Sequence, residues 1–185
     1  MSSSSPVRSP FWSLNTFSAE DQLNVIIDTP KGSRNKYKYD PALGLFKLSH
    51  LLTAGMVFPY DFGYLPSTKG GDGDPLDVMV LMDEPVFVGC LVTARLIGVI
   101  EAEQTEQGKT MRNDRFLAVA AEARLYRDVQ SIDQINARLL DELEHFFGSY
   151  NEMRGKQFKP LVRSGPVRAR QMLEENLRTQ HLQTA

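Results

Sequence analysis

Gly70-Gly71-Asp72-Gly73-Asp74-Pro75-Leu76-Asp77 runs directly into the apolar stretch Val78-Met79-Val80-Leu81-Met82. Three carboxylates fall within the six positions from Asp72 to Asp77. They repel one another by roughly 1 to 4 kcal/mol per close pair unless a multivalent cation sits between them. Such a cation would be hard and oxygen-seeking. The glycines allow a tight turn with positive φ, Pro75 fixes one φ, and the apolar run reads as a buried strand anchoring the exit of the loop. The pattern predicts a rigid metal cradle with Asp77 held by the strand. The competing reading is a solvated Asp/Gly turn between strands. An EF-hand fails on spacing: its fifth position would be Leu76, and no Glu stands at the twelfth.

A chain of 185 residues, 42% apolar and 9% aromatic, fits one domain with a sizeable core. A formal charge of −2 gives no global attraction to nucleic acid or anionic membrane, so a polyanionic ligand must be attracted locally. The single cysteine, Cys90, lies in an apolar run and reads as a buried structural thiol. No run approaches the about 18 apolar residues of a membrane span, and Met1-Ser2-Ser3-Ser4-Ser5-Pro6 lacks the apolar core of a signal peptide, so a cytoplasmic protein is expected.

Residues 1–20, rich in Ser and Pro with scattered Phe11, Trp12 and Phe17, read as an extended arm that docks through Trp12. Leu23-Asn24-Val25-Ile26-Ile27-Asp28 is a strand closed by Thr29-Pro30, with Asp28 at its mouth. Lys31 to Asp40 is a turn followed by strict alternation, Tyr37 and Tyr39 on one face, Lys36 and Lys38 on the other. That row is either a lysine-protected edge strand or a phosphate-facing surface. Short strands follow at Gly44 to Leu48, Pro75 to Met82, Cys90 to Glu101 and Arg115 to Ala120, with a polar hairpin between Glu103 and Arg112. The aromatic segment from Phe58 to Pro66 packs beneath the acidic loop. Five to seven such strands in sequence predict a closed or partly closed antiparallel barrel. Ser131 and Gln134 form a capping box ahead of a helix whose stripe is Ile135, Leu139, Leu143, Phe146, Tyr150 and Met153, stopped by Gly155. A second helix is expected from near Pro166, within a C-terminal segment taken as 161–185.

Asp72-Gly73-Asp74-Pro75-Leu76-Asp77-Val78 resembles, without a change, the D-G-D-P-x-D-V signature of the soluble family I inorganic pyrophosphatases. Further matches are Pro30 to Tyr37, Gly44-Leu45-Phe46, Phe62-Gly63-Tyr64, Ile97-Gly98-Val99-Ile100 and His145-Phe146-Phe147. The resemblance implies an α+β, mainly β fold: a five-stranded OB-like closed barrel with flanking C-terminal helices, its body at 21–160. It further implies Mg²⁺ dependence, hydrolysis of diphosphate to two phosphates, and a homo-oligomer, hexamer or dimer. By the same resemblance Asp72 and Asp77 are the principal metal ligands, with Asp74, Asp28 and Asp114 completing the expected set. Asp74 would also orient the attacking water or accept its proton. Lys36, Arg115 and Tyr150 would bind phosphate, and His50 inherits the place of a phosphate-binding Arg. Divalent metals in such a site clamp the substrate and acidify a water, which is the chemistry diphosphate cleavage needs.

This chain departs from the family pattern in several places. Lys38 stands for Glu, His50 for Arg, Phe62 for Tyr, and Asn151 for the Lys that usually follows Tyr150. Gln104 and Asn113 stand where metal-binding Asp residues are usual. Glu101, Glu103 or Glu106 are the candidates to substitute for the first. Asp114 points away from the face of Asn113 unless a bulge rotates it. The site is then a hydrolase, a catalytically weakened or inactive relative that binds metal, phosphate or a partner, or an OB-type nucleic-acid binder. The acidic loop and negative charge count against the last.

Overall fold

The computed structural model describes residues 14–184; Trp12 and the rest of the arm before Leu14 lie outside them. Among the described residues nine strands and two α-helices follow in chain order: β1 (Leu23–Thr29), β2 (Asn35–Asp40), β3 (Leu45–Leu51), β4 (Asp61–Tyr64), β5 (Asp77–Leu81), β6 (Leu91–Glu106), β7 (Lys109–Arg112), β8 (Arg115–Ala120), α1 (Ala137–Glu152), β9 (Gln157–Ser164) and α2 (Pro166–Thr184). β5 and β8 carry the continuous apolar runs Val78–Leu81 and Phe116–Ala120 because both of their faces are covered.

The strands pair in the order β1-β4-β5-β8-β6, and β6 also pairs with β1, Leu23 lying opposite Ala94. β6 reaches both neighbours because it is 16 residues long: its first half pairs with β1 and β8, its second with β7 and β9. The close passage of β4 past β1 is possible because position 63 is glycine, where a Cβ would stand 2.1 Å from the Ile26 carbonyl oxygen. β2 and β3 form a separate hairpin.

Five sequence expectations change. The β5–β8 pair is parallel, so the sheet is not wholly antiparallel. Residues 157–164 form β9, so the segment taken as helix from 161 begins as strand, and the helix starts at Pro166. The Ser131–Gln134 capping box heads only a one-turn 3-10 helix, Ile132–Gln134, and α1 starts after a second cap at Asn136, whose side chain accepts from the Arg138 N–H. The stripe of α1 is rotated: Leu140, Leu143, Phe147 and Tyr150 are buried, and Met153 is exposed. Cys90 is half-buried rather than enclosed.

Residues 14–20 are tied to the body. Thr16 donates to the Pro66 carbonyl at 2.7 Å, and the Arg170 guanidinium lies 4.1 Å from the centre of the Phe17 ring. No helix among the described residues is long and apolar enough to cross a membrane.

Candidate active site

The acidic loop between β4 and β5 is closed by its own backbone. The Gly70 N–H donates to Asp74 O at 2.6 Å, the Asp74 N–H to Asp72 Oδ1 at 3.1 Å, and Gly73 takes φ +88°, a conformation open to glycine. Its aspartates open onto a cleft of about 200 Å³. β2 and β3 supply Lys36, Lys38 and His50 to the same cleft, α1 supplies Tyr150, and the start of β8 supplies Arg115. Asp28, Asp72, Asp74, Asp77, Lys36, His50, Arg115 and Tyr150 therefore meet as expected from sequence.

Most of the charges in the cleft are already paired. Lys36 binds Asp28, and its ammonium also lies over the Phe62 ring at 4.6 Å, a cation–π contact that suits phenylalanine there. Burial pushes the Asp28 carboxyl above its ordinary value, against the attraction of Lys36. The parallel β5–β8 register sets Asp77 beside Arg115, and they form an ion pair at 2.8 Å. Arg115 is 4% exposed, packed 5.0 Å from the Phe147 ring centre. Burial pushes the Asp77 carboxyl up to about 6 although Arg115 and Lys36 oppose it. Lys38 holds both oxygens of Asp74, at 2.7 and 2.8 Å.

His50 lies across the hairpin from Lys36, and its Nε2 is 2.9 Å from the Tyr150 hydroxyl. Burial first, then Arg154, Lys36 and Lys156, lower His50 to about 4, so the ring is neutral near pH 7 and Tyr150 donates to it. Burial raises the Tyr150 phenol to about 12.

Asp114 lies outside the cleft itself, in a small adjoining pocket that it lines with Asp72 and Asp77. Its Oδ1 accepts from the Ala102 N–H at 2.9 Å and from Arg112 at 2.7 Å, whereas Asn113 and Arg115 line the cleft. Asn113 Nδ2 donates to Gln104 Oε1 at 2.8 Å, and both amides line the cleft. None of the glutamates considered as substitutes lines it: Glu101 is bound by Ser164 and Arg112, and Glu106 by Lys156. Sequence reasoning missed Arg154 and Lys156, which line the cleft beyond α1; the basic residues flanking Gly155 were the available signal. Asn151 is 1% exposed and donates to the Phe147 carbonyl.

Among the described residues, no three or more His, Cys, Asp or Glu side chains are gathered closely enough to hold a metal as they stand. The donor chemistry nevertheless fits a hard divalent cation. The acceptor oxygens among the groups lining the cleft include those of carboxylates and amides, and Asp77 is a desolvated carboxylate only partly compensated by Arg115.

The family model for inorganic pyrophosphatase matches residues 25–181. The inorganic pyrophosphatase of a Synechocystis strain is 42% identical over 134 residues, 72% of this chain and 77% of that protein. That of Halalkalibacterium halodurans is 36% identical over 135 residues, 73% of this chain and 80% of the relative. The crystal structure of inorganic pyrophosphatase from Thermus thermophilus superimposes with a TM-score of 0.83 at 30% identity, covering 91% of this chain and 97% of that one.

Proposed function

Since the chain belongs to the inorganic pyrophosphatase family, we infer that it hydrolyses inorganic diphosphate to two phosphates with a divalent cation, Mg²⁺, as cofactor. The observation that carries this is the opening of the Asp72-to-Asp77 loop onto the same cleft as Lys36 and Tyr150. Asp72 and Asp77 would hold the cation. When bound, it supplies charge neutralisation at the phosphoryl oxygens and lowers the pKa of a water.

The side chains of the chain do the rest. Asp74 orients the attacking water and accepts its proton once Lys38 has moved off its carboxylate. As the new P–O bond forms and the bridging P–O bond breaks, Lys36 and Arg115 offset charge on the departing phosphate. Tyr150 binds a phosphate oxygen by turning its hydroxyl proton, directed at His50 Nε2 in the fold, toward the substrate.

We take the five mutually paired strands, β1-β4-β5-β8-β6, as an OB-like closed barrel, supported by the return pairing of β6 to β1. The pyrophosphatase-like body of 21–160 then extends through β9, with the arm and α2 as additions. Exposed Leu45, Leu48 and Leu51 on β3 support a homo-oligomer, hexamer or dimer. A cytoplasmic location belongs to the same reading.

One observation favours a second reading, a weakened or inactive relative that binds metal and phosphate. Asp28, Asp74 and Asp77 each carry a protein cation, and Gln104 and Asn113 bring no charge. Phosphate release from diphosphate, with and without Mg²⁺, decides between them. Metal-dependent release by the wild type that is lost in Asp77→Ala supports the hydrolase. A folded, metal-binding wild type that releases no phosphate leaves the binding protein.

A further inference from the structure

Four of the five basic side chains lining the cleft are neutralised by a carboxylate: Lys36 by Asp28, Lys38 by Asp74, Arg115 by Asp77, and Lys156 by Glu106. Arg154 is the exception, forming no ion pair with a carboxylate among the described residues. It is nevertheless held in place. Its guanidinium lies 5.3 Å from the Tyr150 ring centre, and Nη1 donates to the Tyr150 hydroxyl oxygen at 3.3 Å. That oxygen can accept because its own proton is directed to His50 Nε2 at 2.9 Å, while His50 Nδ1 faces Ser49 Oγ at 3.2 Å. The chain of donors runs Arg154 to Tyr150 to His50 to Ser49. A guanidinium has five N–H donors in a planar fork, and this chain uses one edge of it.

Helix geometry explains the position. Arg154 follows Tyr150 by four residues, in the turn just past α1 where its N–H bonds the Asn151 carbonyl, which brings it over the tyrosine, whereas Asn151 turns into the core. We propose that Arg154 is a further phosphate-binding cation of this cleft, beside Lys36 and Arg115, taking one terminal phosphate of diphosphate by a forked pair of charge-assisted hydrogen bonds. The proposal rests on the diphosphatase reading for its substrate. Its physical content, an oxyanion held by a pre-oriented and unneutralised guanidinium, stands apart from turnover. His50 and Tyr150 are positioning groups for that guanidinium, which accounts for a neutral histidine and a high-pKa phenol in a site for an anion.

Calorimetric titration with imidodiphosphate and with inorganic phosphate, in Mg²⁺ buffer, tests it on the wild type, Arg154→Ala, Arg154→Gln and Arg154→Lys. The side chain is exposed, so all four are expected to melt together, and a melting curve identifies any variant that does not. The expected result is a tenfold or greater loss of imidodiphosphate affinity in Arg154→Ala and Arg154→Gln, with partial recovery in Arg154→Lys, and a rise in KM larger than any fall in kcat. A loss of less than twofold in both neutral variants overturns the proposal. Arginine-dependent binding by a wild type that releases no phosphate from diphosphate upholds the proposal and removes the hydrolase reading. A folded wild type that binds neither anion overturns both.

Discussion

Lys38 Nζ sits 2.7 and 2.8 Å from the two carboxylate oxygens of Asp74, so a protein cation occupies the ligand face of the aspartate expected to handle the attacking water. Both side chains are more than half exposed, and a pair of that kind adds about 0 to 1 kcal/mol to folding. Its effect is therefore on ligands. A positive charge this near disfavours a divalent ion by about 1 kcal/mol or more in a watery cleft. Lys38→Gln is expected to tighten Mn²⁺ or Mg²⁺ binding by about three- to tenfold, with little change in melting temperature. Isothermal titration of metal into the two proteins checks it; equal dissociation constants would show that Lys38 does not compete with metal.

The Asp77–Arg115 pair makes the opposite demand, because Arg115 is almost completely enclosed. Asp77→Ala is expected to abolish metal-dependent phosphate release and to cost about 2 to 3 kcal/mol in urea unfolding, since the guanidinium is left without a carboxylate. Adding Arg115→Met removes the orphaned charge while keeping apolar contact with Phe147. The double variant should regain most of the stability and none of the activity. Recovery of neither would locate the loss in the loop rather than in the ion pair.

Much of this arrangement was legible in the sequence. The Asp72-to-Asp77 spacing, the Val78-to-Leu81 run and the alternation of Lys36 and Lys38 are local patterns, and local patterns persist in the fold. β9 was not legible, because Gln157-Phe158-Lys159-Pro160-Leu161-Val162 carries Pro and exposed residues and is held in strand form by pairing with the distant β6. Asp114 and Asn113 lie between β7 and β8, outside the regular pairing, so alternation alone could not place them: Asn113 lines the cleft and Asp114 the adjoining pocket. Arg154 was not legible because its position depends on the turn that follows α1 and its charge on which neighbouring cations find carboxylates, neither of which is visible in one dimension.

The burial of His50, with the cations Arg154, Lys36 and Lys156 near it, gives stability a pH dependence. His50 is held near 4 in the fold against an ordinary value of 6.5, so between these values the unfolded chain binds more protons. Stability from this group is complete above about pH 6.5 and is lost as pH falls toward 4. The ring is partly exposed, and solvent screening reduces the loss to about 1 to 2 kcal/mol. His50→Gln keeps an acceptor for the tyrosine hydroxyl but cannot titrate. Urea midpoints measured from pH 7 to pH 4 should fall less steeply in the variant; parallel curves would remove His50 as the source.

Two glycines with opposite surroundings test the packing account. At Gly63 an added Cβ would lie 2.1 Å from Ile26 O and 2.9 Å from Ile26 C, both backbone atoms between paired strands, so relief requires β1 and β4 to separate. Gly63→Ala is expected to cost about 3 kcal/mol or more. At Gly148, inside α1, nothing stands within 4 Å of the Cβ position. There the substitution removes backbone freedom from the unfolded chain without a clash, and Gly148→Ala should stabilise by about 0.5 to 1 kcal/mol. Urea denaturation of the two variants reads both signs. A Gly63→Ala protein as stable as the wild type would mean that β1 and β4 do not pass as closely as the Ile27–Gly63 register requires.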